Sequence, residues 1–352
     1  MLSPIMPTPS ASLTPSSPAL TRIGRFYITR ELGRGNVGCV YLGHDPVIGR
    51  DIAIKTCHPR MTPAERCRHE RQFINEARAA GLLSHPNIVT VYDASVEQGM
   101  AYIAMEYLRG RELDKILDSG HRYAPDDAAA IVWRIADALN HAHERKVIHR
   151  DVKPANIFMV GDDQPKLVDF GIARAPNRVA EKDANPDNPV TIMVGNRRLG
   201  TPNYMSPEQA LGKPVDARTD IYSLGAVMYE MLVGRKPFQS ENADKLLQQV
   251  ASKVPPAPHE VDPSVPPALS EIVMKAMRKR PEKRYETAGK MALDIKRFLV
   301  RQRRARRRMK IPVAALDRNQ PVGLPLLRSK LFWAGSSALA AAAAVAAAFL
   351  MD

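Results

Sequence analysis

Four side chains between Asp151 and Asp169 carry the groups that phosphoryl transfer requires. Asp151 offers a carboxylate to accept a hydroxyl proton, and Lys153 a cation beside a moving phosphate. Asn156 and Asp169 offer oxygen ligands suited to Mg²⁺. They lie in two short runs, His149-Arg150-Asp151-Val152-Lys153-Pro154-Ala155-Asn156 and Asp169-Phe170-Gly171, in that order. Because this chemistry is mostly positioning and charge neutralisation, the rest of the chain must hold these groups and a phosphate donor in place.

The elements that could do so precede them. Gly33-Arg34-Gly35-Asn36-Val37-Gly38-Cys39-Val40 is a G-x-G-x-x-G run, whose glycines allow backbone N–H groups to approach phosphates without Cβ clashes. The same spacing occurs where a strand turns into a helix at a dinucleotide site. Here Val40-Tyr41-Leu42-Gly43 follows, a β-branched and aromatic strand pattern, so the glycines belong to a hairpin. Ile52-Ala53-Ile54-Lys55 is an apolar strand ending in a lysine. A helix is expected over 63–83. Thr62-Pro63-Ala64-Glu65 supplies an N-cap, a Pro at the first helical position and a Glu three residues after the cap. Phe73, Ile74, Ala77, Ala80 and Gly81 form its inward stripe, with Glu76 beside it.

These motifs together resemble the bacterial serine/threonine protein kinases of the eukaryotic-like (Hanks) type, over roughly residues 26–300. The resemblance implies an α+β, two-lobed protein kinase fold with a strand-rich N-lobe and a helical C-lobe. It makes Asp151 and Lys153 catalytic, and Asn156 and Asp169 the ligands of Mg²⁺, with Mn²⁺ as an alternative. It assigns Gly33, Gly35 and Gly38 to the ATP phosphates and Lys55 to the α- and β-phosphates. Glu76 is the implied partner of Lys55, with Glu70 as the runner-up. Val40 and Ala53 cover the adenine, Met105 is the gatekeeper, and backbone groups of Glu106 and Leu108 bond the base. Gly200 to Glu208 resembles a peptide-docking segment, in which Thr201 contacts Asp151 and Lys153 and Glu208 pairs with Arg284. Asp220 braces the catalytic loop. Lys153 and Thr201 favour serine/threonine over tyrosine acceptors, so the implied partners are ATP and protein substrates.

Composition sets the frame. The chain has 352 residues, 45% of them hydrophobic, enough for one large domain with extensions. The expected domains are a Ser/Pro-rich disordered tail (1–25), a kinase domain (26–300, lobes 26–105 and 110–300), a basic linker (301–330) and a transmembrane helix (331–350). Residues 1–20 carry no charge and lack the pattern of a signal peptide. The three cysteines, Cys39, Cys57 and Cys67, show no paired spacing and suit a reducing compartment. Of the net charge of +14, residues 296–330 hold +11.

Residues 331–350 contain no charged side chain. As a helix they would span about 30 Å, the thickness of a bilayer core. Ten of the twenty are alanine, which is only weakly apolar. Arg328 and Lys330 precede the segment, so the positive-inside bias places the kinase domain in the cytoplasm and the C-terminus across the membrane. Anionic lipid, rather than nucleic acid, is the expected partner of the basic run, at ~1 kcal/mol for each basic residue near the surface.

Regulation reads from the loop between Gly171 and Gly200, where Thr191 is the one hydroxyl-bearing residue. By resemblance Arg150 belongs to a pocket for an activation-loop phosphate. Thr191 is therefore the expected autophosphorylation site, with Thr201 as its competitor and a homodimer as the vehicle. The competing function is a membrane-tethered pseudokinase scaffold. The presence of Lys55, Asp151 and Asp169 argues against it.

Overall fold

The computed structural model describes residues 22–35, 38–57, 70, 73–75, 77–97, 99–161, 163–170 and 202–309. Glu76, Thr191, Thr201, Cys67, the helix start at 62–65 and the 331–350 segment lie outside them.

The N-terminal part is a six-stranded antiparallel sheet in the order β1-β2-β3-β4-β6-β5. Its strands are β1 (Arg22–Ile23), β2 (Phe26–Arg34), β3 (Gly38–Asp45), β4 (Arg50–Cys57), β5 (Val91–Glu97) and β6 (Met100–Glu106). Side chains alternate across a strand, so the two faces form two cores. Ile52, Ile54, Tyr102 and Ala104 pack with Ile23 and Phe26 on one face. Cys57, Ala101 and Ile103 pack against Phe73 and Ala77 of the helical stretch on the other. Lys55 has the parity of Ala53 and Cys57 and belongs to the second face. Cys39 and Cys57 are buried free thiols, and register pairs Cys39 with Thr56, which puts the two thiols on opposite faces.

Gly38 has a reason of its own. A Cβ there would lie 1.5 Å from the Thr56 carbonyl oxygen, whereas Gly33 and Gly35 face open space. The sheet itself thus demands the third glycine of the loop.

A second sheet, β7-β8-β9, joins Gly110–Glu112, Ile157–Val160 and Gln164–Leu167. Around it lie α1 (Leu113–Asp118), α2 (Pro125–Glu144), α3 (Pro207–Ala210), α4 (Arg218–Val233), α5 (Ala243–Ser252), α6 (Pro258–Val261), α7 (Pro267–Ala276) and α8 (Ala288–Met309). Pro125 occupies the first position of α2, with Asp126 and Asp127 in its positive first turn. Helix α4 is buried on every face from Thr219 to Val233, with Thr219, Asp220, Ser223 and Glu230 among its enclosed side chains. It ends at Gly234, whose φ of +71° favours glycine.

Two expected boundaries move. Ile23 falls inside the expected tail, yet it is buried and pairs with Phe26, so the fold begins before residue 26. The last helix does not stop at 300 but continues through the basic run to Met309. Its first half is anchored by buried Met291, Ile295 and Phe298. Arginine is a good helix former, and cations are favoured at a helix C-terminus, so nothing ends the helix earlier. Among the described residues no helix is long and apolar enough to cross a membrane.

The expected Glu208–Arg284 pair forms, through two hydrogen bonds of 2.7 Å with both side chains buried. Burial by itself pushes the Glu208 carboxyl up, but the Arg284 hydrogen bonds and charge, with Thr219, outweigh it and hold it below the ordinary range. Its contribution to stability is therefore present above the ordinary carboxylate range and lost as pH falls through the lower folded value. Arg284→Met should cost about 3–5 kcal/mol in denaturant unfolding near neutral pH, since it strands a buried carboxylate. That deficit should shrink on acidification, as protonation neutralises the stranded group.

Candidate active site

The site is built where β4, β9 and the loop after α2 converge. Lys55 Nζ donates to Asp169 Oδ1 at 2.7 Å, joining residues 114 apart in sequence. Lys153 Nζ donates to Asp151 Oδ2 at 2.9 Å. The Asn156 amide donates to the Asp151 carbonyl at 2.8 Å and to Oδ2 at 3.0 Å. All four residues of the opening constellation are thus brought together with Lys55.

The loop is held by backbone restraint. Asp220, fully buried in the first turn of α4, accepts from His149 N at 2.8 Å and from Arg150 N at 2.7 Å. His143 Nε2 lies 2.7 Å from the same carboxylate. Burial would raise the Asp220 carboxyl, but these donors, His143 first, hold it below its ordinary value. Arg150 and Asp169 have φ of 65° and 56°, a left-handed conformation that costs a non-glycine residue of order 1–3 kcal/mol. Three hydrogen bonds to an ionised acceptor, each worth about 1.5–3 kcal/mol, offset that cost.

His149 serves as a strut and not as a base. Burial pushes its imidazole down, so it is neutral near neutral pH. Its Nε2 donates to the Val168 carbonyl at 3.1 Å, its Nδ1 accepts from Asp151 N at 3.3 Å, and its ring lies on buried Phe170 with centroids 4.7 Å apart. Asp169 is thereby turned toward Lys55. Burial acts to raise the Asp169 carboxyl, and the Lys55 charge and hydrogen bond overcome it, leaving the group ionised.

The donor set fits Mg²⁺. Asn156 spends its amide hydrogens on Asp151, which leaves its carbonyl oxygen as a hard ligand, and Asp169 supplies an ionised carboxylate. Two protein oxygens completed by phosphate and water are the usual Mg²⁺ arrangement.

Met105 lines a small cavity with Lys55, Val89, Ile103 and Phe170. Ala53 is buried opposite Met105, and Val40 lies opposite Lys55. Leu108 is half-buried just past β6. Glu106 N–H already donates to the Thr90 carbonyl at 2.9 Å, so only its carbonyl remains for a base. Its carboxylate accepts from Lys166 Nζ at 2.8 Å and from Thr90 N at 3.3 Å.

Residues 26–294 match the family described as protein kinase domain. The chain belongs to that family. As a kinase-family member it is 38% identical over 273 residues to the serine/threonine-protein kinase PrkC of Bacillus subtilis. It is 39% identical over 275 residues to PknB of Mycolicibacterium smegmatis. These alignments cover 78% and 77% of this chain but 40% and 42% of the relatives, so the chain spans about two fifths of their length. The fold is similar to the PknI kinase domain of Mycobacterium tuberculosis, with TM-score 0.59 and 26% identity, covering 78% of this chain and 95% of that one.

Three contacts were not anticipated from the sequence. Lys166 gave a weak signal, as a charged residue in a short buried strand. His143 gave none, since its contact with Asp220 spans 77 positions. Gln209 was legible: Ser206-Pro207-Glu208-Gln209 has the S-x-x-Q spacing of a capping box, and α3 carries one.

Asp220→Asn keeps the side-chain shape but points an amide NH₂ at one of the donors it must accept. It should lower stability by about 1–3 kcal/mol in thermal unfolding.

Proposed function

We propose that the chain is an ATP-dependent serine/threonine protein kinase that transfers the γ-phosphoryl group of ATP to protein hydroxyls in signalling. The observation that carries this reading is the fixing of Asp151 Oδ2 by both Lys153 and Asn156, beside an ionised Asp169 paired with Lys55. Asp151 is held by two donors at one oxygen, which orients its carboxylate as acceptor for the substrate hydroxyl proton. Lys153, tethered to the same oxygen, places its charge where the phosphoryl group passes. Lys55 is the cation for the α- and β-phosphates, with Glu76 as the residue that steadies it. Asn156 and Asp169 hold Mg²⁺, which would neutralise phosphate charge. Gly33, Gly35 and Gly38 cover the phosphates, and Val40, Ala53, Glu106 and Leu108 seat the adenine. Thr201 positions the acceptor.

Regulation is proposed to run through autophosphorylation of Thr191 within a homodimer, with Arg150 receiving the phosphate. Residues 331–350 are proposed to cross the membrane, with the kinase domain cytoplasmic and the basic run on anionic lipid. The continuous cationic end of α8, with Arg301, Arg303, Arg304 and Arg306 exposed, supports that contact.

The purified full chain, given ATP and Mg²⁺, should phosphorylate itself. Asp151→Asn should lower the rate by about 10²–10⁴-fold. Phosphosite mapping should find Thr191, and Thr191→Ala should lower activity; full activity in that variant would sink the switch and spare the kinase. The full chain should also float with vesicles containing phosphatidylserine and resist alkaline carbonate. Release by high salt alone would leave the basic run as a surface contact and remove the membrane span.

A further inference from the structure

Gln209 stands outside the constellation read from the sequence, yet it reaches the residue before Asp151. Its Nε2 donates to the Arg150 carbonyl at 2.8 Å. Its Oε1 accepts from Ser206 N at 3.0 Å, and its own N–H donates to Ser206 Oγ at 3.2 Å. Chemistry fixes the orientation of this amide. A backbone N–H must face the oxygen and a backbone carbonyl must face the nitrogen, so the reversed amide would put like against like at both ends.

The consequence lies in the backbone. Arg150 N–H and Arg150 C=O belong to successive peptide planes. Asp220 holds the first at 2.7 Å and Gln209 the second at 2.8 Å. Anchoring both planes fixes φ and ψ of Arg150, which sits at φ 65° against its own preference. The next Cα is that of Asp151. The direction of its carboxylate is therefore set from two sides, by α4 and by α3.

Helix α3 is tied in turn to the core. Ser206 Oγ lies 3.1 Å from Thr219 Oγ1, which donates to Glu208 at 2.7 Å within the buried pair with Arg284. We propose that Gln209 is a positioning residue that transmits the placement of residues 206–210 to the Arg150–Asp151 peptide and so aims Asp151. The inference rests on the reading of Asp151 as the base. A helix-capping role by itself would leave turnover indifferent to the Gln209 amide nitrogen.

The two roles separate by substitution in the full chain, with ATP, Mg²⁺ and purified histone as acceptor. Gln209→Glu keeps the acceptor for Ser206 N–H and preserves the S-x-x-E capping box, but sets a carboxylate oxygen against the Arg150 carbonyl. It should lower kcat roughly tenfold and leave KM for ATP within about twofold, with a Tm loss of a few degrees from the lost Arg150 bond alone. Gln209→Lys keeps a donor toward Arg150 and loses the capping acceptor. It should lower Tm by about 2–4 °C with kcat within about twofold of wild type. Gln209→Glu turnover equal to wild type would overturn the inference. If that variant does not fold, Gln209→Lys decides: retained kcat supports the inference and a tenfold loss overturns it. Wild-type turnover no greater than that of Asp151→Asn would instead overturn the kinase reading, and this inference with it.

Discussion

The buried carboxylate of Asp220 is the contact on which the rest of the site depends. It sits in the first turn of the most enclosed helix and accepts from two consecutive backbone N–H groups of the catalytic loop. A helix N-terminus favours an anion, so the charge is placed where the macrodipole also supports it. Three donors satisfy it, which is what makes an ionised group tolerable in a dry core. Without this anchor, the left-handed turn at Arg150 would relax, and Asp151 and Asn156 would lose their common frame. Stability and proposed catalysis thus meet at one side chain that touches no substrate.

A second layer of polar groups works the same way. Glu208, Thr219, Ser206 and Arg284 form a closed set around the start of α3 and α4. Tyr204 donates to buried Glu230 on the far part of α4, where burial raises both groups. Buried polar groups are costly unless paired, and here each answers another across long sequence distances. This set makes residues 206–210 part of the core, rather than a surface loop laid upon it. The N-terminal sheet is built differently. Its two faces are filled almost wholly by apolar side chains, and Lys55 reaches the site only because strand parity sends it to the same face as Ala53.

Much of this was legible in advance because it is local. The apolar run Ile52-Ala53-Ile54-Lys55 identified β4, and the glycine run followed by Val40-Tyr41-Leu42 identified the β2–β3 hairpin. The catalytic constellation was visible because Asp151, Lys153, Asn156 and Asp169 lie close in sequence. The ends of the fold were less legible. Ile23 is a single apolar residue beside a polar tail, and only its pairing with Phe26 makes it core. The arginine run reads as linker by charge, but it continues a helix already anchored by Ile295 and Phe298.

What the sequence determined alone is the chemistry: which acids, amides and lysines are present, and the spacing that makes them a phosphoryl-transfer set. It also determined the strand and helix patterns that deliver them. Tertiary structure decided which of their atoms are already committed. The Glu106 N–H is taken by Thr90, and Gly38 is required by the close approach of the Thr56 carbonyl. His143, Lys166 and Gln209 acquire their roles from partners 77, 60 and 59 positions away. The physical reason is one of range. Propensity and periodicity act within a few residues, whereas hydrogen-bond satisfaction in a dry interior is settled only when distant segments pack.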